Sequence, residues 1–237
     1  MDNYLADLTA EFSAQCSSLK FSFDGYVYNP LEYAWANHRQ YLENYVRKGA
    51  RTMFLGMNPG PFGMLQTGVP FGDIVSVTDY LRIDNRVGSP AVEHPRRPVM
   101  GMYIKRREIS GTRLWGLMAS RYPDAGRFAE ENCVMNYCPL GFLSPEKTAR
   151  NITPDKLCAS DRAPLEKLCN DYLVKVIDYL EPEHLVGVGK YAEDKLLSLN
   201  TGIHVCSIMH PSPGNPQANR DWAGKTLARL EELGIWK

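Results

Sequence analysis

The feature that most constrains the fold of this chain is a set of four short apolar segments. They cover residues 51–56, 132–136, 184–189 and 203–208, and stretches with the apolar spacing of helices separate them. Short apolar strands that alternate with helices are typical of a parallel sheet covered on both faces. We therefore predict an α/β fold of three layers, α/β/α, with about four short parallel strands between helices.

Local signals predict where the helices lie. The expected helices cover residues 5–19, from the spacing of their apolar side chains; 31–47, behind a cap at Asn29 and Pro30; 113–122, behind a cap at Thr112; 165–180, from an apolar stripe; and a last stretch from Asn215 and Pro216 to Gly234. No linker, charge block or repeat divides the chain. We predict one domain over residues 1–237, with N-terminal helices over about 1–48 and a catalytic α/β core over about 49–237.

Composition excludes several classes of protein. The chain is 44% hydrophobic and 23% charged, which is typical of a globular protein and not of a disordered or fibrous one. No segment approaches ~18 consecutive apolar residues, so we expect no contact with a membrane. The N-terminus lacks the basic and apolar regions of a secretory signal, and the six cysteines form no C-x-x-C pair. We expect these cysteines to be packing residues in a reducing compartment.

Polar residues follow the predicted strands at the edge where such sheets bind ligands. Parallel strands all end at the same edge, so the loops that follow them converge. Asn58, Asn136 and His210 each lie at or just after the end of a strand, and we expect one pocket to hold them together. The glycine-rich loop over residues 56–63 lacks the Gly-Lys-Ser/Thr ending of a nucleotide-binding loop. Gly187 and Gly189 are expected to form a tight turn between a strand and a helix.

An asparagine and a histidine without a carboxylate or thiol nucleophile suit a particular kind of reaction. In such a reaction the leaving group needs stabilisation more than the nucleophile needs activation, as in the cleavage of a nucleobase from its sugar. His184 and His204 are expected to point away from the convergent edge of the sheet. We therefore predict no metal site.

Two long motifs resemble those of a known family. Residues 56–72 and 210–219 are similar to the two signature motifs of the single-strand-selective monofunctional uracil-DNA glycosylase family, and shorter matches occur at 93–98, 136–140, 151–154 and 186–189. The resemblance runs from about residue 23 to 234. It implies a three-layer α/β/α fold and removal of uracil and 5-hydroxymethyluracil from DNA, which leaves an abasic site, without metal or cofactor. No lysine lies in the two signature motifs, so strand cleavage through a Schiff base is not expected.

The resemblance also assigns site residues. It implies that Asn58 holds the attacking water, that His210 stabilises the departing base at O2, and that Asn136 pairs with the N3/O4 edge of the flipped base. The other residues that it places around the base are Phe71, which stacks on it, and Met57, Gly60 and Met64, which shape the pocket. The residues that it places on the DNA are Lys147, Arg150, Asn151, Ser212, Gly214, Asn215, Gln217 and Asn219.

Position 214 departs from the family pattern. Vertebrate members carry an arginine there, which enters the duplex as a wedge, whereas this chain has Gly214. A glycine cannot fill the gap that a flipped nucleotide leaves. We therefore hypothesise a stronger dependence on single-stranded or mispaired DNA, in which less stacking is lost.

Two alternatives stay open. One is a non-catalytic reader of damaged or single-stranded DNA, which would need the stacking side chain but no group to position water. The other is a glycosylase with a broader choice of base, including xanthine or hypoxanthine. On either reading the partner is DNA, single-stranded or double-stranded. We expect a monomer, and the short termini favour a prokaryotic cytoplasmic protein over a nuclear one.

The net charge conceals an uneven distribution. The chain has 27 basic and 27 acidic residues, a balance that by itself argues against a nucleic-acid partner. Residues 82–113, however, contain eight basic and three acidic residues. We therefore expect a small DNA footprint, in which few phosphates are neutralised and binding depends only modestly on salt.

Overall fold

The computed structural model describes residues 3–237, and its strands form two sheets. In chain order the strands are β1 (Tyr26–Tyr28), β2 (Thr52–Gly56), β3 (Asn132–Asn136), β4 (Gly141–Leu143), β5 (Asn151–Ile152), β6 (His184–Val188) and β7 (His204–Ile208). The larger sheet has the order β3-β2-β6-β7, and all its neighbouring strands are parallel. This four-stranded parallel sheet, flanked by helices, confirms the predicted fold class.

The α-helices lie between and around these strands. In chain order they are α1 (Tyr4–Ser18), α2 (Pro30–Tyr33), α3 (Trp35–Tyr45), α4 (Met64–Thr67), α5 (Ile109–Arg121), α6 (Ala125–Glu131), α7 (Ala159–Leu180), α8 (Lys190–Ser198) and α9 (Trp222–Glu232). The central strand β2 is buried along its whole length, with Met53, Phe54 and Leu55 fully inaccessible. A strand paired on both sides and covered on both faces requires such a continuous apolar run.

The smaller sheet is antiparallel, with the order β1-β4-β5. The sequence analysis did not predict it, because strands of two or three residues are too short to show a period of alternation. Its strand β5 carries Asn151, one of the residues expected to contact DNA. The division into N-terminal helices and core, and the single domain, stay predictions.

Three expectations about helix boundaries are wrong. The stretch 31–47 is two helices, because Ala34 leaves the helical conformation, although the Asn29 side chain caps the first as expected. Helix α5 begins at Ile109, so Thr112 is not its cap; the Thr112 hydroxyl donates to Glu108 O within the first turn. The stretch from Asn215 is a 3₁₀ turn over Pro216–Asn219, and α9 begins only after Asp221.

The six cysteines are free, and five of them are buried as packing residues. Cys158 is exposed, which contradicts the expectation for that position, because it lies at the surface just before α7. In the described part of the chain, no helix is both long and apolar enough to span a membrane.

Candidate active site

The loops after β2, β3 and β7 surround a cavity of about 760 Å³. All the residues that the sequence analysis placed around the base line it, namely Met57, Asn58, Gly60, Met64, Phe71, Asn136 and His210. They come together because parallel strands end at the same edge of the sheet. His184 and His204 are the first residues of β6 and β7, so they lie at the edge of the sheet away from the cavity, as expected. Their Nδ1 atoms are 3.3 Å apart.

Three amide groups that line this cavity have a buried polar atom without a hydrogen-bond partner in the described residues, those of Asn58, Asn136 and Asn151; at Asn151 this atom is Oδ1, while its Nδ2 donates to Pro59 O at 3.5 Å. Asn58 Nδ2 and Asn136 Oδ1 are buried and have no hydrogen-bond partner within residues 3–237. Asn136 Nδ2 makes only a contact of 3.2 Å with the thioether sulfur of Met64. Because an unpaired buried polar atom costs about 1–3 kcal/mol, its presence at the cavity wall indicates a ligand that pairs with it.

The position of the Asn136 amide depends on a glycine. A Cβ atom at Gly56 would overlap Asn136 Oδ1 and would lie 2.5 Å from Cε2 of Phe71. Because Gly56 has no side chain, the Asn136 amide and the Phe71 ring can occupy this space beside the cavity. The sequence analysis included Gly56 in the motif but gave it no role of its own.

Phe71 is held in a strained conformation. Its φ of 53° lies in the left-handed region, which costs a side-chain-bearing residue about 1 kcal/mol or more. The neighbouring chain is fixed by the hydrogen bond from Trp115 Nε1 to Pro70 O, at 3.1 Å. The ring centroid of Phe71 lies 6.1 Å from that of His210, so the two rings share one side of the cavity.

His210 has a defined tautomer. The backbone N–H of Ser212 donates to His210 Nδ1 at 3.1 Å, so Nε2 of the neutral ring carries the proton. Burial lowers the pKa of His210, which favours this neutral form. The ring thus offers an N–H donor without being charged. Gly189, at a φ of 94°, forms the expected tight turn beside it.

The comparisons with known proteins agree with this geometry. A model of the Uracil DNA glycosylase superfamily matches residues 43–232. The single-strand selective monofunctional uracil-DNA glycosylase of Rattus norvegicus is 42% identical over 94% of this chain and 81% of its own length. The corresponding protein of Bos taurus is 43% identical over 89% of this chain and 78% of its own length.

The chain therefore belongs to the single-strand selective monofunctional uracil-DNA glycosylase family. The fold agrees with that of a solved structure, SMUG2 of Pedobacter heparinus, at a TM-score of 0.66. That structure is 18% identical in sequence and covers 98% of this chain and 99% of its own.

Some of this family member's expected DNA contacts border the cavity, and others do not. Asn151 and Ser212 line it, whereas Gly214, Gln217 and Asn219 are exposed on the loop that follows His210. Asn215 and Asn219 also hold that loop together: Gln217 N donates to Asn215 Oδ1, and Asn219 Nδ2 donates to Pro213 O. The remaining two, Lys147 and Arg150, are exposed near β5 and do not line the cavity.

Glu108 is a cavity residue that sequence reasoning missed. Its carboxylate Oε2 accepts a hydrogen bond from Phe62 N at 3.3 Å, and a Cβ atom at Gly60 would lie 2.6 Å from the same oxygen. Burial raises the pKa of Glu108, and the bond from Phe62 opposes this rise. In the sequence, Glu108 is marked only by its position as an acidic residue directly after the basic run 105–107.

Behind Glu108 a buried carboxylate forms an ion pair with an exposed arginine. Asp73, which is fully buried, accepts hydrogen bonds from Arg107 Nε at 2.7 Å and from Glu108 N at 3.0 Å. This pair ties the chain before α5 to the loop that carries Phe71. Arg107, one of the eight basic residues of segment 82–113, therefore helps to hold the fold.

Proposed function

We propose that this chain hydrolyses the N-glycosidic bond between uracil and deoxyribose in DNA and leaves an abasic site. The observation that carries the proposal is the pair of unpaired amide atoms, Asn58 Nδ2 and Asn136 Oδ1, that line one cavity with His210. The names of the relatives that match most of the chain agree with this activity.

The base would be recognised by its polar edge. Uracil presents an N3–H donor beside the O4 acceptor, and the Asn136 amide offers an acceptor and a donor to match. Cytosine has an acceptor at N3 and an amino group at position 4, so the amide in the same orientation would meet it with two mismatched pairs, acceptor against acceptor and donor against donor. Phe71 supplies an aromatic face for the flipped base.

Bond cleavage would follow from two groups. The carbon–nitrogen bond breaks as negative charge develops on the departing base, and His210 Nε2–H donates a hydrogen bond to the base O2, a contribution of about 3 kcal/mol. Asn58 holds the water that adds to C1′ of the sugar. The water leaves its hydroxyl on C1′, and its proton completes the neutral free base.

The choice of base follows from the same edge. The bases 5-hydroxymethyluracil and xanthine present the same order of acceptor, N–H donor and acceptor as uracil, and a cavity of about 760 Å³ exceeds what one pyrimidine fills. We infer that both are substrates. Hypoxanthine lacks the second acceptor, so His210 would have no oxygen to stabilise, and we expect it to be a poorer substrate.

The preference for single strands is supported by the loop after His210. Gly214 is exposed, and no side chain at this position can replace a flipped nucleotide in the stack. Contacts of this loop and of Lys147, Arg150 and Asn151 with the DNA backbone are part of the same proposal. The monomeric state and the prokaryotic cytoplasmic location stay predictions.

A single assay separates this function from a non-catalytic reader. The protein is incubated with a single-stranded oligonucleotide that contains one uracil, and the released base is measured by mass spectrometry. We expect free uracil and an abasic strand that breaks only after alkali. Binding without release would identify a reader, and breakage without alkali would contradict a monofunctional enzyme.

A further inference from the structure

One aromatic side chain at the cavity mouth contacts two arginines. The guanidinium carbon of Arg106 lies 3.8 Å from the ring centroid of Phe62, and that of Arg97 lies 5.0 Å from it. Phe62 and Arg106 both line the cavity that holds Asn58 and His210. Stacking on the ring fixes the guanidinium of Arg106 at the edge of the proposed active site.

The two cations over this ring and their neighbours Arg96 and Lys105 form no ion pair, although the charge of Arg106 acts on the Glu108 carboxylate and opposes the rise of its pKa. Within the described range 3–237, no carboxylate forms an ion pair with Arg96, Arg97, Lys105 or Arg106. Burial lowers the pKa of Arg97, and the charges of Arg106 and Arg96 lower it further. Like charges held together without an ion-paired carboxylate favour the binding of an anion.

Other arginines of the same basic segment have different partners. Arg107 is paired with the buried Asp73, and Arg113 donates to Pro211 O and to Asn219 Oδ1, both at 2.9 Å. Arg97 also donates to backbone oxygens, of Arg96 at 2.9 Å and of Thr148 at 3.1 Å, but these contacts leave its charge without a carboxylate partner. Arg106 is therefore the cation of this group that we expect to contribute most to binding of an anion.

An exposed aromatic side chain lies close to these cations along the chain. Tyr103 is 86% exposed, and it ends the 3₁₀ turn Gly101–Tyr103, three residues before Arg106. Met100, just before this turn, is 50% exposed. Aromatic side chains beside cations are the combination with which proteins bind single-stranded nucleic acid, since bases stack on the rings while cations bind phosphates.

We propose that Phe62, Arg97, Tyr103, Lys105 and Arg106 form a cation–aromatic rim that binds the unpaired DNA strand on one side of the flipped nucleotide. In this arrangement Arg106 and Arg97 bind backbone phosphates, and Tyr103 stacks on an unpaired base. The inference rests on the proposed function, because a base in the cavity brings its flanking phosphates to the cavity mouth, where Arg106 lies. In a duplex, neighbouring base pairs cover the faces of each base, so Tyr103 contributes to binding of single strands only.

The test measures binding to undamaged DNA. The affinity of the full-length protein for a fluorescently labelled oligothymidylate, and for a duplex of the same length, is followed by anisotropy over a range of salt concentrations. Arg106→Ala and Arg106→Gln are each expected to reduce the slope of log affinity against log salt by about 0.7, the value for one phosphate contact with a single strand. Arg106→Gln keeps a side chain over Phe62, so equal slopes for the two variants exclude an effect of lost packing.

Matched controls are available. Arg47 is exposed, has no carboxylate partner in the described chain, and precedes β2 at the opposite edge of the sheet, so Arg47→Ala is expected to leave the slope unchanged. Tyr103→Ala is expected to weaken binding of the single strand about tenfold and of the duplex less than twofold. Tyr103→Trp is expected to retain the affinity of the unmodified chain for both kinds of DNA.

The outcomes distinguish this surface from the proposed chemistry. Unchanged slopes in both Arg106 variants, or equal losses for single strand and duplex in Tyr103→Ala, overturn the rim. Because the DNA contains no uracil, these results do not depend on base release. If the protein releases uracil but the Arg106 and Tyr103 variants bind DNA as the unmodified chain does, only the proposed rim is contradicted. If the variants change binding as expected but the protein releases no uracil, only the proposed reaction is contradicted.

Discussion

Gly56 and Asn136 end two neighbouring strands at the same register, and the Asn136 amide occupies the space that a side chain at position 56 would fill. The specificity of the proposed site thus depends on a backbone position as much as on the amide itself. The same glycine leaves room for the Phe71 ring. One small residue therefore sets the geometry of both groups that would bind the base.

Replacing Gly56 by alanine should displace both groups. We expect Gly56→Ala to slow base release from single-stranded DNA at least tenfold under single-turnover conditions, because the new methyl group forces the Asn136 amide and the Phe71 ring away from the base. Gly116→Ala is the matched control: this glycine lies in α5 with no atom near its Cβ position, and alanine there should add roughly 0.5–1 kcal/mol of stability. Equal rates in the two variants would contradict this role of Gly56.

The tautomer of His210 predicts the pH dependence of the reaction. Because burial lowers its pKa, the ring stays neutral through the usual histidine range, and protonation at low pH breaks the bond from Ser212 to Nδ1. We expect the single-turnover rate to be constant from pH 8 down past about 6.5 and to fall only at lower pH. A rate that rises as the pH falls through 6.5, in a titration that disappears in His210→Asn, would show that the charged ring is the active form.

A second buried histidine predicts how stability depends on pH. His38 bonds to Gly68 O at 2.7 Å, and burial lowers its pKa to about 4. The folded state therefore favours the neutral ring, so its contribution is complete above about pH 6.5 and is lost as the pH falls toward 4. We expect urea unfolding to show a loss of about 3 kcal/mol across this window. The loss should be absent in His38→Gln, and the same loss in both proteins would assign it to other groups.

Glu108 is expected to act as a positioning residue for the loop that carries Asn58. Glu108→Ala leaves Phe62 N without its acceptor and opens space beneath Gly60, so we expect base release to slow by about tenfold. Glu108→Gln retains a carbonyl acceptor and should recover most of the rate. If the glutamine variant is as slow as the alanine variant, the carboxylate charge itself takes part in the reaction.

Position 214 offers a gain-of-function experiment. A Cβ atom at Gly214 would meet only Ser212 Oγ, at 3.4 Å, so the loop has room for a side chain. We expect Gly214→Arg to raise the rate on a uracil–adenine pair relative to single-stranded DNA. Gly214→Ala, which adds no wedge, serves as its control. An unchanged ratio in Gly214→Arg would contradict the hypothesis that the missing wedge limits duplex opening.

The sequence predicted those parts of the site that depend on the order of strands. Asn58, Asn136 and His210 could be placed in one pocket because each follows a short apolar segment and parallel strands end together. Glu108 could not be found in this way, since it lies 46 residues from Phe62 in the chain and its position depends on the buried Asp73. Local pattern carries no information about such long-range pairing.

The sequence predicted the presence of helices better than the residues at which they begin. Thr112 has the composition of a helix cap, but the helix extends to Ile109 because Asp73 holds the chain at Glu108 N. The expected last helix divides near Asp221, whose own side chain caps α9. In both places a specific hydrogen bond, rather than helix propensity, decides where the helix begins.

The most direct test of the account compares Asn58→Ala and His210→Ala with the unmodified chain on single-stranded DNA that contains one uracil. Single-turnover base release and DNA affinity are measured separately, by quantifying the free base and by anisotropy. The account predicts that each substitution slows base release at least tenfold while affinity for DNA persists. Release at the unmodified rate in both variants would contradict the assignment of this cavity as the active site.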